Sequence, residues 1–232
     1  MALIKFGLGV TGMSGSVGGV TAARNRSGSY FRARTKPINP NSARQQVIRA
    51  AMATLTTRWA QTLTAAQRTA WNLYAASVTS LNKLGETINL SGFNQFIRSN
   101  MPRQQCSLTI IDAGPTTFEL PEQDPTLSVT GSEATQELSF AFDDTMDWLD
   151  EDNASLILYQ GSPQNAQRNF FAGPWRLLDS VEGDSNTAPT TPQAIAAPFA
   201  ITELQRDWAY GRISRADGRL SDPFRCNCFI GA

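Results

Sequence analysis

The sequence predicts an α+β protein of several domains: an extended arm, a basic β-hairpin and about three helices, followed by an antiparallel β-sandwich. Three observations predict it. Apolar residues recur at helical spacing between residues 39 and 101. After Pro125 they alternate with polar residues at the period of a strand. The sign of the charge switches between these two regions.

The charge switch divides a chain whose net charge is zero. Residues 1–103 hold 13 Lys and Arg and a single acid, Glu86, for a net charge of +12. Residues 104–232 hold seven Arg and 19 acids, for a net charge of −12. The switch coincides with a proline-containing stretch. We therefore predict a glycine-rich arm and hairpin at 1–38, a helical domain at 39–101, a linker at 102–125 and a sandwich at 126–232.

The chain opens with a glycine-rich arm in which Gly7, Gly9 and Gly12 spell G-x-G-x-x-G. A dinucleotide site needs a full strand before this motif, a helix after it and an acid about 20 residues on. Only six residues precede Gly7, and no acid occurs before Glu86. The arm is therefore not predicted to bind a nucleotide. No apolar run is long enough for a membrane span or a secretory signal, so we expect synthesis in the cytoplasm and no membrane partner.

A basic hairpin is predicted next, from Val17 to Arg26 and from Ser29 to Thr35, around the turn Asn25-Arg26-Ser27-Gly28. If the register pairs the two arginine-bearing faces, four guanidiniums form one patch with an aromatic ring beside it. Like charges in a free hairpin are destabilising unless a partner neutralises them. We therefore predict a partner-binding surface made of Arg24, Arg26, Tyr30, Arg32, Arg34 and Lys36.

Three helices are expected between 39 and 101. Asn39-Pro40 and the capping box Ser42-x-x-Gln45 both suit the start of the first helix, and Thr64-x-x-Gln67 suits the start of the second. A shorter third helix carries aromatic and apolar residues at helical spacing. The stripes assigned to the three helices are Ile48, Met52, Leu55 and Trp59; Trp71, Tyr74, Val78 and Leu81; and Phe93, Phe96 and Ile97.

The last 107 residues predict six or seven short strands separated by turn residues. The assigned segments are Leu127–Val129, Leu138–Phe142, Leu156–Leu158, Trp175–Val181, Asp207–Arg215 and Phe224–Ile230. The closing stretch DWAYGRISRADGRLSD resembles the last hairpin of fibronectin type III domains. This resemblance implies an immunoglobulin-like sandwich, although the loop from Asp184 to Pro198 is longer than that family usually has.

No conventional active site emerges. The chain has no histidine, which removes the usual general base and the commonest zinc ligand. The three cysteines, Cys106, Cys226 and Cys228, are expected to fill core positions. We therefore expect no enzyme activity, cofactor or metal. Six acids lie between Asp143 and Asp152, so an adventitious calcium site, a carboxylate-dependent hydrolase and pairing with the basic hairpin of another copy remain open.

The N-terminal pattern resembles a family of phage and prophage proteins. The similarity is carried by GSVGGVTAARNRSGSYFRARTKPINPNSARQQVIRA, WAQTLTAAQRTAW and SGFNQFIRSN, and it covers roughly residues 7–100. It implies a multicopy structural protein of the virion, assembled in the host cytoplasm, that decorates or cements the capsid or sits at the head–tail junction. The implied partners are capsid or neck proteins and other copies of the chain. The alternative is a nucleic-acid-binding protein that places the same arginines on phosphates.

Overall fold

The computed structural model describes residues 2–7, 9–35, 38–82 and 84–232 and has a mixed α+β fold. In the described residues there are three α-helices, and most of the other regular structure is β-sheet. The N-terminal strands are β1 (Ala2–Ile4), β2 (Gly15–Val17), β3 (Val20–Asn25) and β4 (Gly28–Ala33). They form one antiparallel sheet in the order β1-β4-β3-β2, here called the N-terminal sheet. The predicted hairpin is β3–β4, with the turn where the sequence placed it.

Two further strands extend that hairpin. Gly18 and Gly19 join β2 to β3 with φ values of 55° and 82°, which suits a two-residue hairpin turn that non-glycine residues adopt poorly. Residues 5–14 then connect β1 at one edge of the sheet to β2 at the other. The glycine arm is therefore part of the N-terminal sheet, as its edge strand and crossing segment.

The helical unit follows. Helix α1 (Ala43–Thr57) begins at the Ser42 capping box and continues as a π-helical turn over Arg58–Thr62. Helix α2 (Ala65–Ser77) begins at the Thr64 capping box, and α3 (Gly92–Gln105) packs against both. A small hairpin, β5 (Thr79–Leu81) and β6 (Thr87–Asn89), separates α2 from α3. The buried core is Leu55, Leu63, Trp71, Tyr74, Val78 and Phe96.

Some helical predictions were wrong in detail. Met52 is exposed, because the side of α1 that faces the core carries Ala51 and Leu55 instead. Leu81 belongs to β5 and is also exposed, so it does not continue the stripe of α2. Helix α3 runs through Pro102, where the linker was predicted to begin, and ends at Gln105. A proline in the last turn removes one backbone donor without ending the helix.

The segment predicted as a linker is packed against the helices. Asp112 accepts two hydrogen bonds from Arg58, at 2.5 and 2.8 Å, and its backbone oxygen accepts one from Trp71 Nε1 at 3.0 Å. The backbone N–H of Ile111 donates to Asn100 Oδ1 at 2.7 Å. These contacts fix the path of the chain between the helices and the C-terminal strands.

The C-terminal half contains seven strands hydrogen-bonded into one sheet, in the order β10-β9-β12-β13-β7-β8-β11. Six of the strands overlap the predicted segments, four of them to within one residue at each end, and the other two run three residues further than predicted. The seventh, within the long loop after Asp184, was missed. The strands are β7 (Ser128–Ser132), β8 (Glu137–Ala141), β9 (Ser155–Gly161), β10 (Trp175–Glu182), β11 (Gln193–Ala196), β12 (Arg206–Ser214) and β13 (Phe224–Gly231).

This sheet curls around its own core. A short parallel pairing of β13 with β7 joins its two parts, and the terminal strands β10 and β11 contact each other. Side chains from both parts share one hydrophobic cluster that includes Phe140 and Leu158. The predicted division into two separate sheets is therefore not what the hydrogen bonding shows. In the described part of the chain, no helix is both long and apolar enough to cross a membrane.

Candidate docking surface

The register of β3 and β4 decides where the predicted arginines lie. Asn25 pairs with Gly28, so even-numbered residues of β3 stand opposite odd-numbered residues of β4. Arg24 is therefore opposite Ser29, and Arg32 is opposite Thr21. Residues opposite each other share a face, and faces alternate along a strand. Arg24 and Arg32 consequently project from opposite faces of the N-terminal sheet, and the single four-guanidinium patch is not formed.

The remaining predicted residues are distributed around the same sheet. Tyr30 is half-buried and lies on the face that carries Arg32. Arg26 occupies the turn, where its Nε donates to the backbone oxygen of Asn89 at 2.7 Å. Arg34 follows β4 and is exposed, and its backbone N–H donates to Gly19 O at 2.7 Å. Lys36 lies outside the described residues.

The side chains of Arg24, Arg32 and Arg34 are fully available. All three are exposed, and among the described residues none of them makes a side-chain hydrogen bond or an ion pair. Unpaired guanidiniums retain all their donors for an outside acceptor such as a carboxylate. The sheet thus presents cations on both faces, and no described carboxylate lies within ion-pair distance of them.

An apolar groove on the face that carries Arg24 was missed by the sequence analysis. Its volume is about 280 Å³, and its apolar lining consists mainly of Met13, Val17, Val20, Ala22 and Phe31. The side chain of Val17 is 80% exposed. The apolar residues Val20 and Ala22, two apart along β3, indicate an apolar face in the sequence. The sequence analysis assigned this segment by its arginines and did not consider that face.

The N-terminal sheet is tied to the helical unit at its turn. Lys5 Nζ lies 2.9 Å from Glu86 Oε1, and Asn82 Nδ2 donates to Ser27 O at 3.2 Å. The hydrogen bond between Lys5 and Glu86 raises the pKa of the lysine and lowers the pKa of the glutamate. The first acid of the chain therefore holds the sheet in place and leaves the arginines beyond it unpaired.

Cys226 and Cys228 lie in or against the core as expected, whereas Cys106 is half-buried at the C-terminal end of α3. Cys226 is buried in the core of the C-terminal half and Cys228 packs against it. Burial raises the pKa of Cys226 to about 12 and the pKa values of Cys106 and Cys228 to about 11. Thiols with such pKa values remain protonated at neutral pH and are poor nucleophiles.

The acid cluster borders a cleft of about 350 Å³ lined by Glu122, Asp143, Asp147 and Arg215, among others. Arg215 Nε donates to Glu151, and its Nη1 is 4.0 Å from Asp147. The Asp143 carboxylate accepts hydrogen bonds from Thr145, which lower its pKa. No group of three or more potential metal ligands occurs among the described residues.

Comparisons with known proteins give little further information. No protein-family model matches the sequence, and neither does a curated protein. The adhesin domain of Epf from Streptococcus pyogenes matches 48% of this chain at 11% identity, with a TM-score of 0.29. The match spans 32% of that structure's chain, about a third of its length. A likeness at this level supports no statement about fold or function.

Proposed function

We propose that this chain is a non-enzymatic, multicopy structural protein of a phage particle. In this proposal the N-terminal sheet anchors the protein to the capsid or to the head–tail neck, where it decorates or cements the shell. The observation that carries the proposal is the N-terminal sheet itself, which combines a bare apolar groove with arginines that have no acidic partner. The virion context comes from the family resemblance of residues 7–100.

The two properties of the sheet point to a protein partner. Burying the side chains of Val17, Val20 and Phe31 against a partner would remove apolar surface from water, which is favourable by roughly 25 cal/mol per Å². Arg24 beside that groove, and Arg32 on the opposite face, would add charge-assisted hydrogen bonds to carboxylates. A nucleic-acid partner would use the arginines but would leave the groove without an apolar counterpart.

We also propose that the C-terminal half is a variant of the fibronectin III/immunoglobulin-like sandwich. Its shared core between two groups of strands and the β12–β13 hairpin support this classification. Such domains serve as spacers and binding modules, so the fold by itself assigns no ligand. In a particle this half would project from the anchored N-terminal sheet.

The test is a binding experiment with phage particles. Particles stripped of the protein with salt are mixed with purified wild type or variants, sedimented, and analysed for bound protein by mass spectrometry. We expect Val17→Asp and the double variant Arg24→Glu/Arg32→Glu to reduce binding about tenfold or more, because each places an uncompensated charge in the contact. Val47→Asp serves as the matched control, since Val47 is an exposed valine on α1.

The result can also refute the proposal. If the protein is absent from native particles and no variant alters its binding to stripped particles, the virion role is wrong. The nucleic-acid alternative predicts instead that affinity for DNA falls 10³-fold or more between about 50 and 200 mM salt for ~6 phosphate contacts. It also predicts that Val17→Asp leaves that affinity unchanged.

A further inference from the structure

The outer face of β9, β10, β12 and β13 carries a second group of aromatic and cationic side chains, distant in sequence from the N-terminal sheet. Tyr159 and Tyr210 stack with ring centroids 4.4 Å apart, and Trp175 meets Tyr210 edge-on at 4.9 Å. Arg225 lies over Trp175 at 5.7 Å, and Arg206 lies over Trp208 at 4.7 Å. We call this surface the arginine–aromatic end: Trp175, Arg206, Trp208, Tyr210, Arg225 and Phe229.

Arginines are few in this half of the chain, which holds seven Arg and 19 acids and has a net charge of −12. Arg206 and Arg225 lie over aromatic rings of this face, and Arg168, in the loop between β9 and β10, lies over Phe171. Three acids at the same end, Glu133, Glu137 and Glu203, lie beside the β7–β8 turn. Surfaces rich in Trp, Tyr, Phe and Arg and poor in Lys, Asp and Glu are typical of the centres of protein interfaces.

The side chains are held ready for a partner. Arg206 donates from Nε and Nη2 to Asn227 Oδ1 at 3.0 and 2.8 Å, and from Nη1 to Asn169 Oδ1 at 3.1 Å. Its guanidinium is therefore fixed in one orientation. Arg225 is exposed and makes no hydrogen bond or ion pair with any described residue, and Phe229 is 59% exposed. The fixed cation of Arg206 on β12 lies opposite the exposed ring of Phe229 on the adjacent strand β13, which also carries the free cation of Arg225.

The complementary surface lies at the opposite end of the same strands. Strand β9 begins at Ser155, directly after the loop 143–153, and ends at Gly161, which pairs with Trp175. Its 7 residues separate the two ends by about 20 Å. The loop carries six acids, of which Asp144, Asp147, Asp150 and Asp152 are exposed. The C-terminal half is thus acidic at one end of its strands and cationic and aromatic at the other.

We propose that copies of this chain associate head to tail, with the acidic loop 143–153 of one copy docked on the arginine–aromatic end of the next. A second copy supplies the required carboxylates on its own loop 143–153. A head-to-tail contact uses two different surfaces, so it closes into a ring or extends into a filament. This contact is independent of the anchoring by the N-terminal sheet.

The test uses sedimentation velocity at protein concentrations of about 1 to 100 µM, spanning the range in which weak protein contacts form. Wild type is expected to associate as concentration rises, and to associate less at about 0.5 M than at about 0.05 M salt, because salt screens exposed charges. Arg225→Ala removes the free cation of the docking end, and Asp144→Asn/Asp150→Asn removes two exposed carboxylates of the loop. Each variant alone should bind itself at least about tenfold more weakly than wild type.

Mixing the two variants gives the decisive result. One variant keeps an intact loop and the other keeps an intact docking end, so the mixture should form a 1:1 dimer that does not grow further. Arg24→Glu/Arg32→Glu, which alters only the N-terminal sheet, should associate like wild type. A wild type that stays monomeric, a mixture that stays monomeric, or loss of association on changing the N-terminal arginines instead would overturn the proposal. None of these outcomes depends on binding to phage particles.

Discussion

Arg103 joins the helical unit to the C-terminal half. The residue has no exposed surface; its Nε donates to Thr109 O at 2.8 Å and its Nη1 to Ser214 Oγ at 2.9 Å. No carboxylate lies within ion-pair distance among the described residues, and burial lowers the pKa of the guanidinium. Nothing in the sequence marked this arginine as different from the exposed ones, because burial of a charge depends on the packing of two units.

We expect Arg103→Ala to lower the free energy of unfolding by about 2–4 kcal/mol, since it leaves a cavity and two unpaired polar groups. Urea denaturation measures the change, and Arg44→Ala on the exposed first turn of α1 is the control, expected within about 0.5 kcal/mol of wild type. Equal effects of the two substitutions would show that the helical unit and the strands are not joined through Arg103.

Asp207 should make stability depend on pH. It is buried beside Gln160, and burial raises its pKa to about 6. The unfolded carboxyl has a pKa near 3.9, so between about pH 4 and pH 6 only the unfolded state loses its proton. Stability therefore falls as pH rises through that window, by about 2–3 kcal/mol, and then levels off.

Asp207→Asn should remove this dependence and be more stable than wild type at pH 7. The quantity to measure is the difference in unfolding free energy between wild type and variant at about pH 4.5 and at pH 7. Comparing the two proteins cancels the opposite contributions of Glu86, Asp143 and Asp184, whose pKa values are lowered. A difference that does not change with pH would contradict the assignment.

Among the helices and strands, the sequence predicted the helix starts and the hairpin turn, which depend on the chemistry of a few neighbouring residues. Both capping boxes start helices where the S/T-x-x-Q patterns stand, and Asn25 to Gly28 forms the hairpin turn. Strands β1, β2, β5, β6 and β11 have only three or four residues, too few to establish a period of two. The faces of the arginines could not be predicted, since a shift of one residue in the register moves every side chain to the other face.

The two capping boxes should differ in their effect on stability. Helix α2 carries Trp71 and Tyr74 into the core, so Thr64→Ala is expected to cost about 1 kcal/mol. The first turns of α1 are exposed and can fray without unfolding the core, so Ser42→Ala should cost much less. Thermal unfolding of both variants tests this, and an equal loss in both would mean that α1 is packed along its whole length.

At the scale of the whole molecule, the division of charge was readable from the sequence, but its spatial use was not. The segment 102–125, predicted as a linker, is packed against the helices through Asp112. The zero net charge thus conceals two separate cationic surfaces. One is the N-terminal sheet, and the other stands opposite the acidic loop on the same strands.

The N-terminal sheet is proposed as the anchoring surface, a claim that hydrogen exchange can check segment by segment. Backbone amides are compared between the free protein and the protein bound to phage particles. We predict slower exchange on binding across residues 14–33, with no change along the exposed half of α1. Unchanged exchange in residues 14–33, together with new protection elsewhere in the bound protein, would contradict the claim.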